Sequence, residues 1–269
     1  MTGRATNLGE RSEGASPRLI DETRKIPPDY VPTPDALKGR MILITGAGDG
    51  LGRAAALSCA RHGATVVLLG RTVSKLEVTY DAIRAAGGAE PAIYPLNLAG
   101  ASWNDYLELA VTLERELGAL HGILHCAAHF KEFTPLSSVD PKDWIESLQV
   151  NLTAPFALTR GCLALLEKSA NASVVFVADT ASRSSKPYQG AYGISKLALE
   201  GLMHNWAAEF PSGSGVRINS YYPGPLRTGL RRRGFPGERM DEAPLPESAV
   251  PGLVWLLSDS SRRVSGEAL

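Results

Sequence analysis

Four apolar residues, Met41-Ile42-Leu43-Ile44, run straight into Thr45-Gly46-Ala47-Gly48-Asp49-Gly50-Leu51-Gly52, and a helical stretch follows over 53–62. An unbroken apolar run of this kind predicts a strand buried on both faces. Gly46, Gly50 and Gly52 let the backbone turn tightly and approach a ligand closely, and the next helix offers unpaired N–H groups. Strand, glycine turn and helix N-terminus in that order form a pyrophosphate site. The competing reading is an ordinary βα loop that happens to be rich in glycine.

The same alternation continues down the chain. Apolar runs at 64–69, 92–96, 120–127, 172–178 and 216–221 read as further strands. Helical patterns fill 73–86, 102–117, 141–168, 188–209 and 247–257, and 225–245 reads as irregular. Strands alternating with amphipathic helices predict an α/β fold, a Rossmann-type doubly wound parallel sheet in a single domain. That domain is expected over 37–269. Residues 1–36, rich in Gly, Ser, Pro and charge, read as a flexible arm, with 26–34 able to lie along the domain surface.

Charge and cysteine usage exclude several classes. Lys+Arg and Asp+Glu both number 28, so no basic excess asks for nucleic acid or an anionic membrane. No apolar run approaches the ~20 residues that span a bilayer, and the N-terminus carries no secretory pattern. Cys59, Cys126 and Cys162 are widely spaced and form no Cys-x-x-Cys, which speaks against a disulfide framework or a zinc site. A reduced, cytoplasmic setting and no metal are expected.

Two further stretches carry chemistry. After the second strand the chain reads Leu69-Gly70-Arg71-Thr72, where an NAD site places a carboxylate for the ribose 2′-hydroxyl. Gly70 leaves room, and the Arg71 guanidinium suits a 2′-phosphate, so NADP(H) is favoured over NAD(H). A solvated arginine is the alternative. In Tyr192-Gly193-Ile194-Ser195-Lys196, the tyrosine and lysine project from one helix face a turn apart. A nearby ammonium favours tyrosinate, which would tune Tyr192 as an acid/base.

Taken together, Thr45-Gly46-x-x-x-Gly50-x-Gly52, Asn151, Tyr192-x-x-x-Lys196 and Pro223-Gly224-Pro225-Leu226-Arg227-Thr228 resemble the short-chain dehydrogenase/reductase family, over about residues 37–268. Gly63-Ala64-Thr65-Val66-Val67-Leu68-Leu69-Gly70-Arg71 and Ser260-Ser261-Arg262-Arg263 are similar to a bacterial branch of oxidoreductases with poorly known substrates. The resemblance implies hydride transfer between nicotinamide and a small-molecule carbonyl or alcohol. Tyr192 would exchange the proton, Lys196 would bind the nicotinamide ribose and lower the Tyr192 pKa, and Asn151 would hold a water feeding Lys196. Gly46, Gly48, Asp49, Gly50, Leu51, Gly52, Arg71, Asn97, Leu98 and Ala127 would line the cofactor. Pro223 and Gly224 would pass under the nicotinamide, with Thr228 on its carboxamide. The segment 225–245, with Arg231-Arg232-Arg233, would form a substrate lid, and the assembly would be a homodimer or homotetramer.

The sequence also departs from that pattern. Asp179 stands thirteen residues before Tyr192, where the family has a serine that donates to the substrate oxygen. An ionised carboxylate only accepts. Three readings are open: Thr180 or Ser182 supplies a displaced hydroxyl, Asp179 is protonated and donates, or catalysis is impaired and the chain is a dinucleotide-binding or regulatory protein. His125-Cys126-Ala127-Ala128 replaces Asn-Asn-Ala-Gly, and Asn97 replaces an adenine-contacting aspartate. Strand alternation keeps His125, Cys126 and His129 from converging on a metal, while His129 is placed to line the substrate pocket. The family's seventh strand has few residues left to form after Ser265.

Overall fold

A computed structural model describes residues 26–27, 29–180, 186–210 and 213–269. Its strands are β1 (Met41–Thr45), β2 (Thr65–Gly70), β3 (Ala92–Pro95), β4 (Gly122–His125), β5 (Ala172–Val177) and β6 (Val216–Tyr221). They form one sheet in the order β3-β2-β1-β4-β5-β6, with every neighbouring pair parallel. The helices are α1 (Gly50–Arg61), α2 (Val73–Ala85), α3 (Trp103–Leu117), α4 (Pro141–Leu148), α5 (Ala154–Gly161), α6 (Leu163–Glu167), α7 (Gly190–Glu209), α8 (Gly229–Gly234) and α9 (Val250–Leu257).

The unbroken apolar strands are explained by burial on both faces. On β1, Ile42 and Ile44 enter one core layer with Ala55 of α1 and Leu253 of α9. Leu43 enters the opposite layer with Leu109 of α3 and Leu158 of α5. The strand order reverses between β1 and β4, so a crevice opens outside their carboxyl ends, where doubly wound folds bind ligands.

Local chemistry moved three boundaries from where the sequence pattern set them. α1 begins at Gly50 rather than near residue 53, because Asp49 caps it and accepts from the Gly50 N–H at 2.8 Å. The helical region 141–168 is broken by a π-turn at Gln149–Thr153. Pro155 has no N–H for the ladder, and the Ala154 N–H reaches back five residues to the Gln149 carbonyl. The stretch 225–245 is not wholly irregular: α8 forms there because the Thr228 side chain accepts from the Arg231 N–H at 3.2 Å.

The ends of the described chain are tied to this core. Ile26 packs on the α1/α9 layer, while residues 1–25 of the expected arm lie outside the described residues. At the other end Ser220 pairs in parallel with Ala268, and the Tyr222 N–H donates to the Leu269 carbonyl at 2.6 Å, so a first piece of a seventh strand lies beside β6. Among the described residues no helix is long and apolar enough to cross a membrane.

Candidate active site

The glycine turn lies at the reversal point and is built for close approach. Gly46 (φ +69) and Gly50 (φ +50) are left-handed, a conformation that costs side-chain-bearing residues energy. A Cβ on Gly52 would sit 2.3 Å from the Gly46 carbonyl oxygen, and one on Gly46 would sit 3.1 Å from the Ala127 backbone. Thr45 accepts from the Ala127 N–H at 3.0 Å, which pins the end of β4 to the turn. Asp49 is held by Lys75 at 2.5 Å, and that hydrogen bond, opposed by partial burial, lowers its carboxyl pKa. Lys75, which sequence reading passed over, therefore screens the one negative side chain of the turn.

The other cofactor candidates have different placements. Arg71 is exposed just beyond β2, and Asn97 is exposed after β3, where its side-chain oxygen accepts from the Ala99 N–H at 3.3 Å. Leu98 is different: its side chain is buried in the core. Leu51 is partly buried against the α1/α9 layer, and a Cβ on Gly48 would lie 2.8 Å from the Lys75 Cβ. After β6, Gly224 (φ +72) would meet nothing within 4 Å, and Thr228 lies 3.3 Å from where a Gly50 Cβ would be. The loop carrying Pro223, Gly224 and Thr228 thus returns to the glycine turn.

Tyr192 and Lys196 lie on the first turns of α7, both nearly buried. The Tyr192 hydroxyl donates to an Asp179 carboxylate oxygen at 2.9 Å. The Lys196 ammonium donates to the Val177 carbonyl at 2.8 Å and lies 5.9 Å from the Tyr192 ring centre. Burial lowers the Lys196 pKa to about 8, although Asp179 pulls the other way. Burial, then the Asp179 charge and hydrogen bond, hold the Tyr192 pKa well above its ordinary value. The net direction for Tyr192 is opposite to the lowering that the resemblance implies, because burial first, and then a carboxylate that accepts the phenol's hydrogen bond where a serine would stand, both disfavour the phenolate.

The hydroxyl alternatives to Asp179 have different fates. Thr180 is exposed and its hydroxyl donates to Asp179 at 3.4 Å, while Ser182 lies outside the described residues. Asn151 is buried in the π-turn, its side-chain oxygen accepting from the His129 N–H at 2.7 Å. Its amide nitrogen donates to the His129 carbonyl and to the Ser195 hydroxyl, both at 2.9 Å. Ser195 in turn donates to the Tyr192 carbonyl at 2.7 Å. Sequence reading missed Ser195, although a small hydroxyl residue between the tyrosine and the lysine was visible. His129 does not project freely: Asp143 holds its ring at 2.7 Å. His125 stacks on Phe176 with ring centres 4.9 Å apart and bonds Thr159 at 3.0 Å.

A parallel sheet in 3-2-1-4-5-6 order with a glycine turn at its reversal point defines a Rossmann-type dinucleotide-binding domain. The sequence profile of the short chain dehydrogenases matches residues 40–238, and the chain belongs to that family. It is 38% identical over 237 residues, 88% of this chain and 93% of the relative, to the uncharacterized oxidoreductase YciK of Escherichia coli K12. Among solved structures, a short chain dehydrogenase from Pseudomonas syringae is 43% identical, with a TM-score of 0.88 over 90% of this chain and 98% of that one. A short chain dehydrogenase from Escherichia coli CFT073, complexed with NADPH, is 38% identical, with a TM-score of 0.86 over 88% and 98%.

Proposed function

We propose that the protein is an NADP(H)-dependent reductase of a small-molecule carbonyl, with Tyr192 as the proton donor. The observation that carries this reading is the buried Lys196 ammonium, 5.9 Å from the ring centre of the equally buried Tyr192. Carbonyl reduction needs the phenol, not the phenolate; Asp179 favours the phenol and at the same time makes it a weaker acid.

The residues present fit a dinucleotide. The left-handed Gly46 and Gly50 and the close-packed Gly52 leave the α1 N-terminus to face a pyrophosphate, with Lys75 offsetting the Asp49 charge. Arg71 would take the 2′-phosphate, Asn97 the adenine side, and Ala127, Gly224 and Thr228 the nicotinamide side. When bound, the nicotinamide supplies or accepts the hydride. Lys196 holds the ribose and compensates for charge near Tyr192. Asn151, through Ser195 and His129, fixes the backbone that carries Tyr192. Tyr192 releases its proton to the substrate oxygen, work worth roughly 10²–10⁴ in rate for a well-placed acid.

A second reading has one observation in its favour. Asp179 occupies the Tyr192 hydroxyl, so a chain that binds a dinucleotide but turns over little would look the same. Turnover of a carbonyl panel with NADPH by wild type, Tyr192→Phe and Asp179→Ser separates them. The reductase reading expects an active parent and a Tyr192→Phe variant slower by at least about a hundredfold. A silent parent that Asp179→Ser awakens would establish the second reading instead.

A further inference from the structure

From the Tyr192 ring a file of aromatic rings leads out to Phe235 at the end of α8. Phe130, buried, stands edge-on to the Tyr192 ring with centres 5.1 Å apart. Phe133 follows edge-on to Phe130 at 5.0 Å, and Phe235 edge-on to Phe133 at 5.2 Å. Leu230 of α8 packs against the Phe130–Tyr192 pair. The rings open progressively: Phe130 is 3% exposed, Phe133 36% and Phe235 40%. A core cluster would bury its outer members, whereas these two present apolar ring surface to solvent.

Two arginines of α8 are engaged by internal partners. Arg231 donates to both Glu238 carboxylate oxygens, at 2.7 and 2.8 Å, and its guanidinium lies 3.7 Å over the Phe235 ring. Arg233 donates to the Phe130 carbonyl at 3.2 Å. Two of the three consecutive arginines are thus committed to internal partners, and both hold rings of the file in place. A Cβ on Gly234 would lie 3.0 Å from a Phe133 ring carbon, so the absence of a side chain there lets α8 close onto the rings. An acidic substrate would find these two guanidinium groups already engaged.

We infer that the site takes uncharged carbonyl substrates bearing an aromatic or flat conjugated ring, seated edge-on or stacked against Phe133 and Phe235. Edge-to-face geometry with ring centres at 5–7 Å adds specificity beyond apolar burial. The inference rests on the reading of Tyr192 as proton donor, because the file starts at that side chain.

The test uses 2-acetylnaphthalene, 2-octanone and levulinate with NADPH, on wild type, Phe133→Leu and Phe235→Leu. The expected result is a kcat/KM for 2-acetylnaphthalene at least about tenfold above that for 2-octanone, with levulinate poorest. Each leucine variant collapses that ratio by about fivefold to tenfold, through KM rather than kcat. Calorimetric binding of 2-acetylnaphthalene to the NADP-loaded Tyr192→Phe protein separates the two readings. Ring-dependent binding without turnover by the parent sinks the reductase reading and leaves the aromatic subsite standing. Turnover that prefers levulinate or 2-octanone, with a ratio the leucine variants do not alter, sinks the aromatic subsite alone.

Discussion

The Tyr192 hydroxyl and the Asp179 carboxylate, 2.9 Å apart, form a donor–acceptor pair that sets the proton inventory of the site. Asp179→Asn removes the charge while keeping the shape, so the Tyr192 pKa falls toward its ordinary value. A tyrosinate absorbance titration against Tyr192→Phe measures the shift directly. An unchanged titration would mean that burial alone holds the phenol.

Lys196 gives a second pH signature, with opposite effects on stability and activity. Its pKa is lowered from 10.5 to about 8 by burial, so between these values the unfolded chain binds more protons than the native one. Its contribution to stability therefore rises with pH from about 8 to 10.5 and is least favourable below 8, where the buried ammonium must be kept charged. Activity runs the other way, since the ammonium that serves Tyr192 is lost as pH rises through about 8. Lys196→Met is expected to abolish turnover yet raise unfolding stability at neutral pH, by on the order of 2 kcal/mol. Denaturant titration of the variant at pH ~7 and pH ~10 checks the sign, with the gain largest at the lower pH.

His125 supplies an acid-side test. Burial, aided by the Lys196 charge, lowers its pKa from 6.5 to about 3. Below 6.5 the unfolded chain takes up a proton that the native chain refuses, so stability falls as pH drops from 6.5 toward 3. His125→Gln, which keeps a partner for Thr159, should flatten that loss by up to about 1.4 kcal/mol per pH unit. Thermal midpoints of both proteins across that range decide it; parallel curves would assign the acid lability to other groups.

Arg71 is tested by cofactor choice. Arg71→Ala is expected to weaken NADPH binding by roughly tenfold to a hundredfold, the scale of a charge-assisted phosphate contact, and to leave NADH nearly unchanged. Fluorescence titration with both nucleotides gives the ratio. Equal losses for the two would make Arg71 a solvated surface residue with no part in the selection.

Much of the fold was legible because it is encoded locally. Apolar runs such as Ile42-Leu43-Ile44 and Val174-Val175-Phe176 announce strands buried on both faces, and glycines at 46, 50 and 52 announce a turn that ordinary residues resist. The spacing of Tyr192 and Lys196 is likewise a property of one helix. Local chemistry also misled where a cap or a proline outweighed the pattern, as at Asp49, Thr228 and Pro155.

What the sequence determined by itself was therefore the doubly wound sheet, the glycine cradle and the family, each carried by residues close in the chain. The tertiary structure decided the state of Tyr192, the clasp of Asn151 on Ser195 and His129, and the file from Phe130 to Phe235. Apart from Phe130 and Phe133, three residues apart, those contacts join residues well separated in sequence, and no local pattern specifies them. The reason is physical: periodicity reports which face of an element is buried, but a hydrogen-bond partner or a ring neighbour is chosen only when separate elements pack. Asp179 illustrates the division. Its identity is plain in the chain, and its effect on Tyr192 arises only because β5 and α7 bring the two within 2.9 Å.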